Sequence, residues 1–356
     1  MLISNTYLNQ YQKIISIISI KVNLYLEDNN IATDENPILP SFFLQFLSNK
    51  HSFYNEIIIY QKNKKRVLNE PNIKLKYIQK FILHTILYRS IENYKLDPCV
   101  TGFQKNTGIM NNAIPHLNKL TIIKMDIKDF FPSISRSRIY DIFKKYNKFS
   151  YEYAYILSHL VTYNNSLPQG APTSPFLANI CANGLDFKIN KLIQVINKKQ
   201  NMNITYTRYA DDITISFDKK FNYDYIMNTV TTIIFDEGFY PNFKKSKIIK
   251  NNHCQRVTGI VVNNQTPSIE KKERKKMKFI LNIWDKYNIS TAIFLWDKHN
   301  FGHNIARFQE DDKVDKFLEI LNGKLTYFSM VNSKQNQSLL TKYNQLINKL
   351  ESNKTS

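Results

Sequence analysis

Two strand-length runs, residues 203–208 and 213–217, flank the tetrapeptide Tyr209-Ala210-Asp211-Asp212. Both runs are rich in Ile, Thr and aromatic residues, and only a tight connection fits between them. The segment therefore reads as a β-hairpin whose turn carries two adjacent carboxylates. Adjacent carboxylates repel each other, and a divalent cation removes that repulsion by using them as oxygen ligands. Neighbouring side chains of a strand point to opposite faces. A tight turn lets both carboxylates approach one place, or lets the first do most of the coordination. Taken alone, the pair also suits an ordinary solvated turn, because Asp is a turn former.

A second segment changes that balance. Lys124-Met125-Asp126-Ile127-Lys128-Asp129-Phe130-Phe131-Pro132 sets a carboxylate at the end of an apolar strand, residues 121–127. A charge within such a run is expensive unless it serves a site. If this strand pairs beside the hairpin, Asp126, Asp211 and Asp212 converge. Three carboxylates suit two Mg²⁺ ions, roughly 3.5–4 Å apart, that clamp both oxygens of an in-line phosphoryl transfer. A third segment, Leu167-Pro168-Gln169-Gly170-Ala171-Pro172-Thr173-Ser174-Pro175, is a stiff loop running into a helix, with the Gln169 amide free for a sugar or base.

Charge names the class of partner. Across 356 residues, 49 Lys and Arg face 29 Asp and Glu, a formal net charge of +20. Such a chain is expected to meet a polyanion. Hydrophobic residues at 43% exclude wholesale disorder, and only 8 Gly and 11 Pro argue for many helices over a turn-rich all-β fold. The three cysteines, Cys99, Cys181 and Cys254, have neither disulfide-framework nor zinc spacing. No apolar run approaches the ~20 residues of a membrane span. Residues 14–20 read as part of a helix, not a signal peptide. A soluble, cytoplasmic protein with no membrane partner is expected.

The patterning predicts a helix and a polar loop up to residue 45, an extended piece at 57–60 and a basic turn at 62–66. A helix over 75–87 follows, ended before Pro98. Residues 134–160 read as two helices and 175–196 as one long helix. Residues 223–235 read as a helix, and 247–249 and 256–262 as short strands. From Glu270 onward the chain is helical and Lys-rich, with a frayed tail at 351–356. The expected organisation is an N-terminal helical extension (1–45), a central α/β region (46–262) and a basic helical region (263–356).

Taken in order, these segments resemble the reverse transcriptase family. Tyr209-Ala210-Asp211-Asp212 is similar to its Tyr-x-Asp-Asp box, residues 126–131 to its first catalytic strand, and 167–170 to its nucleotide-pocket loop. Gly238-Phe239-Tyr240-Pro241-Asn242-Phe243-Lys244-Lys245 is similar to its Gly-Phe-x-x-Asn-x-x-Lys element. Asn112-Ala113-Ile114-Pro115-His116 and Val257-Thr258-Gly259 resemble elements of the bacterial retron enzymes. The resemblance implies a right-hand polymerase, class α/β (α+β), with a ferredoxin-like antiparallel palm sheet, fingers and a helical thumb.

It also implies roles. Asp126, Asp211 and Asp212 would hold two Mg²⁺ ions. Phe131 would lie under the sugar and exclude a 2′-hydroxyl. Gln169 would touch the incoming deoxynucleoside triphosphate, and Arg66 would reach its phosphates, with Lys64 and Lys65 as alternatives. Lys245, or Lys244, would act on pyrophosphate. Asn112, His116, Val257, Thr258 and Gly259 would serve RNA recognition. Lys271, Lys272, Arg274 and Lys275 would grip the duplex by its phosphates, with Lys276 and Lys278 beside them. The implied activity is RNA-templated DNA synthesis on a cognate structured noncoding RNA, starting from a guanosine 2′-hydroxyl and leaving a branched RNA–DNA product. The partners are that RNA, the DNA product and a defence effector protein. Two alternatives stand beside it: another bacterial reverse transcriptase of intron, diversity-generating or abortive-infection type, and a non-catalytic RNA-binding protein with a palm fold.

Overall fold

The computed structural model describes residues 5–31, 37–61, 64–302 and 304–355. Close contacts divide the chain into two compact units: Met1–Gly108, Ile123–Ile215 and Phe221–Ile248 in the first, and Ile109–Ile122, Ser216–Lys220 and Ile249–Ser356 in the second.

The first unit opens with α1 (Asn5–Asp28) and α2 (Pro40–Ser48). An antiparallel hairpin follows, β1 (Tyr54–Gln61) and β2 (Lys64–Pro71), with Ile59 opposite Arg66. The basic stretch read as a turn is thus strand from Lys64 onward, while Lys62 and Asn63 lie outside the described residues. Next, α3 (Ile73–Phe81), capped by the Asn72 side chain on the Leu75 amide, runs into a π-helical turn (Ile82–Leu87), and α4 (Ile91–Tyr94) ends before Pro98. In the second unit, α5 (Ile109–Ala113) precedes β3 (Thr121–Asp126), whose last four residues belong to the first unit.

The predicted helix pair is α6 (Arg136–Lys145) and α7 (Tyr151–Leu160), each begun by a serine that accepts from a backbone amide three residues on. The single long helix expected over 175–196 is two, α8 (Ser174–Cys181) and α9 (Asn183–Gln200). The break is held by groups distant in sequence. Arg138 Nη2 donates to the Cys181 carbonyl at 3.0 Å, and Asn183 Nδ2 donates to the Tyr94 carbonyl at 3.1 Å. After them come β4 (Thr205–Tyr209), β5 (Asp212–Phe217), α10 (Tyr223–Asp236) and β6 (Lys247–Lys250).

The four-stranded sheet has the order β4-β5-β3-β6. Only Ala210 and Asp211 separate β4 from β5, and a connection that short forces an antiparallel pair. The order places β3 beside β5, which brings Asp126 next to the hairpin. Ile122, Ile123 and Met125 of β3 are all buried, so both faces of this strand are covered. The sheet with its helices has the arrangement expected of the palm that the sequence resemblance implies.

The second unit continues with a small hairpin, β7 (Arg256–Val257) and β8 (Ile260–Val261), then α11 (Lys271–Lys286), α12 (Ile289–Lys298) and α13 (Glu310–Thr355), which breaks at Asn332 (φ −160°, ψ 91°). The run expected as strand over 256–262 is therefore folded back at Thr258-Gly259. The tail expected to fray is helical to Thr355; Ser356 lies outside the described residues. Val257, Ile260 and Val262 share one core with Ala113, Ile122, Met277 and Trp296. Hence 109–122 and 249–262 group with the basic helices, where the sequence placed the change near Asn263. Cys99 and Cys181 are buried thiols and Cys254 an exposed one. Among the described residues no helix is long and apolar enough to cross a membrane.

Candidate active site

The site is built where β3 ends beside the β4–β5 turn. Asp126 is only 4% exposed. Its Oδ1 accepts from Asn242 Nδ2 at 2.9 Å and its Oδ2 from Lys245 Nζ at 2.5 Å. Backbone bonds fix both neighbours in place: the Ile127 amide donates to the Asp211 carbonyl (3.0 Å), and the Asn242 amide donates to the Asp126 carbonyl (2.7 Å). Asp126, Asp211, Asn242 and Lys245 are thus tied together from three separate parts of the chain.

Electrostatics agrees with that geometry. Burial, followed by the charges of Asp126 and then Asp212, raises the Asp211 carboxyl above its ordinary value. Burial alone would lower Lys245, but its hydrogen bond to Asp126 and the charges of all three aspartates outweigh this and hold its ammonium above the usual value. The cluster is a set of repelling anions with one cation on it. A divalent ion relieves the same repulsion, so the donor set fits one. Among the described residues no three acidic, His or Cys side chains form a ready-made metal cage.

The turn itself is strained and braced. Ala210 adopts φ 56°, a left-handed conformation that costs an L-residue roughly 1–2 kcal/mol. Arg208, fully buried, donates from Nη1 to the Ala210 carbonyl (3.0 Å) and to Asn179 Oδ1 (3.0 Å). Its Nε and Nη2 clamp Asp186 at 2.8 and 2.6 Å, and Tyr206 Oη donates to the same carboxylate at 2.6 Å. Asn179 Nδ2 donates to the Gly102 carbonyl at 2.8 Å. A Cβ on Gly102 would lie 2.7 Å from the Ala210 nitrogen, so only glycine lets this segment lie against the turn.

Phe131 lies near this turn, in a ring group that the sequence did not announce. Phe103, 41% exposed and held at φ 60°, sits 6.0 Å from the Phe131 ring and 6.3 Å from the Tyr209 ring. A bulky residue in that conformation is an outlier, and such strain gathers at working sites. The one signal available in sequence was its position after Gly102.

The remaining candidates are more spread out. The Gln169 carbonyl accepts from the Asn69 amide of β2 at 2.7 Å, and Gly170 (φ 123°) lets the loop approach that strand. Arg66 and Lys65 are exposed on the same strand, and Lys244 is exposed beside Lys245. Arg66 makes no ion pair among the described residues.

In the second unit Asn112 is 1% exposed, and His116 is fully buried with its Nδ1 2.7 Å from Ser216 Oγ. Of the two roles expected for His116, positioning RNA or positioning backbone, this burial fits the second better than direct contact. Val257 is buried, whereas Gly259 is exposed at the tip of a turn with both central φ angles positive, Thr258 at 46° and Gly259 at 86°. Thr258 Oγ1 donates to the Ile109 carbonyl at 3.1 Å. Lys271, Lys272, Lys275 and Lys278 are exposed on α11, while Arg274 donates to the Gln335 carbonyl at 3.2 Å. Lys271, Arg274, Lys275, Lys278 and Lys342 line a cleft of about 560 Å³.

Comparison with known proteins agrees with this arrangement. Residues 49–280 match the family described as reverse transcriptase (RNA-dependent DNA polymerase). The chain is 32% identical to the retron Ec86 reverse transcriptase of Escherichia coli, over 60% of this chain and 63% of that one. It is 27% identical to the retron Mx65 reverse transcriptase of Myxococcus xanthus, over 77% and 60%. It is 31% identical to the retron Se72 reverse transcriptase of Salmonella heidelberg, over 63% and 59%. The match thus spans about three fifths of the length of these curated relatives. With this match running from the β1–β2 hairpin through the carboxylate turn into α11, the chain belongs to the reverse transcriptase (RNA-dependent DNA polymerase) family, and the relatives it resembles are retron reverse transcriptases.

Proposed function

We propose that this protein is the RNA-directed DNA polymerase of a retron. It copies a cognate structured noncoding RNA into single-stranded DNA that stays joined to the RNA, using deoxynucleoside triphosphates and two Mg²⁺ ions. The observation that carries this reading is the Asp126–Lys245 contact beside the Asp211 turn. Carboxylates facing a polyanionic partner would weaken a mere RNA-binding module, but they are what a phosphoryl-transfer centre requires.

Two ions held by Asp126, Asp211 and Asp212 would supply the Lewis acidity that lowers the pKa of the attacking hydroxyl and stabilises the leaving pyrophosphate. The chain's own groups do the rest. Asp126, Asp211 and Asp212 supply the anionic oxygens that fix the reacting ends. Lys245, already at Asp126, stands ready to neutralise or protonate pyrophosphate. Gln169 orients the incoming nucleotide from a loop hydrogen-bonded to β2, and Arg66 on that strand meets the triphosphate. Phe131 forms the floor beneath the sugar. The exposed lysines of α11 hold the template–product duplex by its phosphates, reading its A-like shape over its sequence. Asn112, His116 and Val257 support the turn at Thr258 and Gly259, which meets the cognate RNA. The proposed setting is the bacterial cytoplasm, with a defence effector protein as a further partner.

The test is primer extension with Asp126→Asn. Loss of a charged ligand should lower DNA synthesis by at least about 100-fold, about 2.7 kcal/mol of barrier, while RNA binding persists. Near-normal extension would remove the assignment. Product that never carries covalently attached RNA would move the protein away from the retron reading, and retention of synthesis would keep it a reverse transcriptase.

A further inference from the structure

A second cluster in the first unit has no part in the polymerase chemistry. On α6 and α7, Arg136, Tyr140, Tyr151, Tyr155 and Ser158, together with Asn165 of the following turn, line a cup of about 350 Å³. The Tyr151 and Tyr155 rings lie one helical turn apart, nearly parallel (15°), with centroids 6.3 Å apart, and are 55% and 37% exposed. Tyr140 meets Tyr151 edge-on at 5.7 Å, and Tyr11 of α1 meets Tyr155 at 6.0 Å. Burial and the neighbouring Tyr151 and Tyr155 hydroxyls push the Tyr11 phenol up to about 12, which marks how closely these hydroxyls are gathered.

Charges of both signs reach the cup: Asp141 and Glu152 act on Tyr140, and Glu152 on Tyr11. Arg136 makes no ion pair among the described residues, and Glu152, buried on the same helix as two of the tyrosines, does not pair with it. Behind Tyr155, at 4.3 Å between centroids, lies His159, 8% exposed, with neither ring nitrogen hydrogen-bonded. Lys50 Nζ donates to the His159 carbonyl at 3.1 Å. Burial, with Lys50 and Arg136 adding to it, holds His159 at about 3 and therefore neutral at pH 7. Arg136 and Lys50 form no ion pair among the described residues and lie on this side beside a platform of part-exposed aromatic faces.

We propose that this cup binds one unpaired nucleotide of an RNA strand, with the base stacked on Tyr151 and Tyr155 and its phosphate on Arg136. The lining suits that occupant. Aromatic faces stack on any base, a guanidinium pairs with phosphate, and the Asn165 amide and Ser158 hydroxyl lie within the same cup for the base edge. The chain's charge of +20 favours an anion, and the apolar part of the lining is the tyrosine rings on which a base stacks. A duplex has no unstacked base to offer, so the site selects single-stranded segments of a structured RNA. The identity of the polymer rests on the polymerase reading; the cup's preference for an unpaired nucleotide does not.

The experiment is photocrosslinking of the full chain to a short oligouridylate carrying 5-iodouridine, with excess unlabelled duplex RNA present to occupy other basic surfaces. The expected result is a crosslink mapping to Tyr151 or Tyr155. It should fall at least about tenfold in Tyr151→Ala/Tyr155→Ala and persist in Tyr151→Phe/Tyr155→Phe, which keeps the rings. Arg136→Gln should weaken binding and reduce its salt dependence by about one phosphate contact. Extension of an annealed primer should be the same in all four proteins, which verifies the fold. A crosslink that maps elsewhere overturns the proposal. So does a yield unmoved by the alanine pair. If the wild-type protein fails to extend any primer yet crosslinks as described, the polymerase reading falls and the cup stands.

Discussion

Arg208 and Asp186 form a fully buried, two-pronged ion pair, and the same guanidinium donates to the carbonyl of Ala210, the residue before Asp211. A buried ion pair contributes little net stability by itself, because two charges leave water to make it. Its value lies in what the rigid guanidinium reaches. Arg208 has one hand on the palm helices, through Asp186 and Asn179, and the other on the left-handed turn that presents the carboxylates.

Arg208→Met should therefore destabilise the fold by about 3–5 kcal/mol, because Asp186 is left buried without its partner. Pairing it with Asp186→Leu should recover much of that stability, read as the denaturation midpoint. It should not recover synthesis, because the Ala210 carbonyl still lacks its donor. A double variant that regains full primer extension would show the pair to be structural only.

Asp211 gives a prediction with a definite sign. Its folded-state pKa lies above the ordinary value, chiefly from burial and then from Asp126 and Asp212. A carboxylate raised in this way favours the fold while protonated, at low pH. That contribution is lost as pH rises through the raised pKa. The ionised residue is thus a strain on the metal-free fold at neutral pH. Asp211→Asn should raise the metal-free denaturation midpoint at pH 7 while abolishing synthesis. The advantage should vanish below about pH 4, where the unfolded-state Asp is also protonated. Adding Mg²⁺ with a deoxynucleoside triphosphate should stabilise the wild type more than the variant. A variant less stable than wild type at pH 7 would contradict this account.

The hairpin, the Asp126 strand and most helices were legible because their signals are local. A four-residue connection between two strand-like runs, an apolar run broken by one carboxylate, and 3.6-residue periodicity all lie within short windows. What escaped depends on contacts across long sequence separations. Arg208 reads as a polar end to a strand until Asp186, 22 residues away, is seen to meet it. Periodicity runs unbroken through Ala182, yet Arg138 and Asn183 divide the helix there. Asn112 and His116 carry polar side chains that suggest a surface, but Ser216, a full 100 residues on, satisfies the imidazole inside the core. Phe103 resembles any core aromatic; only its backbone and its exposure set it apart.

The aromatic floor leads to a prediction about sugar choice. Phe131→Ala should open space beneath the ribose and raise ribonucleotide incorporation relative to deoxynucleotide. Phe103→Ala removes a ring 6.0 Å from that of Phe131, so it should produce a smaller shift in the same direction. The measurement is the ratio of the two incorporation efficiencies on matched templates. If Phe103→Ala shifts the ratio and Phe131→Ala does not, the gate belongs to Phe103.

The lysines of α11 separate bound charge from free charge. Lys276 already pairs with Glu273 at 2.7 Å, whereas Lys271 and Lys275 are exposed around a cleft that Phe279 and Phe301 complete. A cation with a partner releases little when phosphate arrives; a free one displaces counterions from the nucleic acid. Lys271→Ala and Lys275→Ala should each weaken duplex binding and make the plot of log affinity against log salt shallower by roughly 0.7–0.9. Lys276→Ala should change that slope far less. The rate of nucleotide addition from preformed complex should match wild type in all three, because the carboxylates are untouched. Equal slopes for the three variants would mean that α11 does not meet the phosphates, and the grip would then have to lie on another face of the second unit.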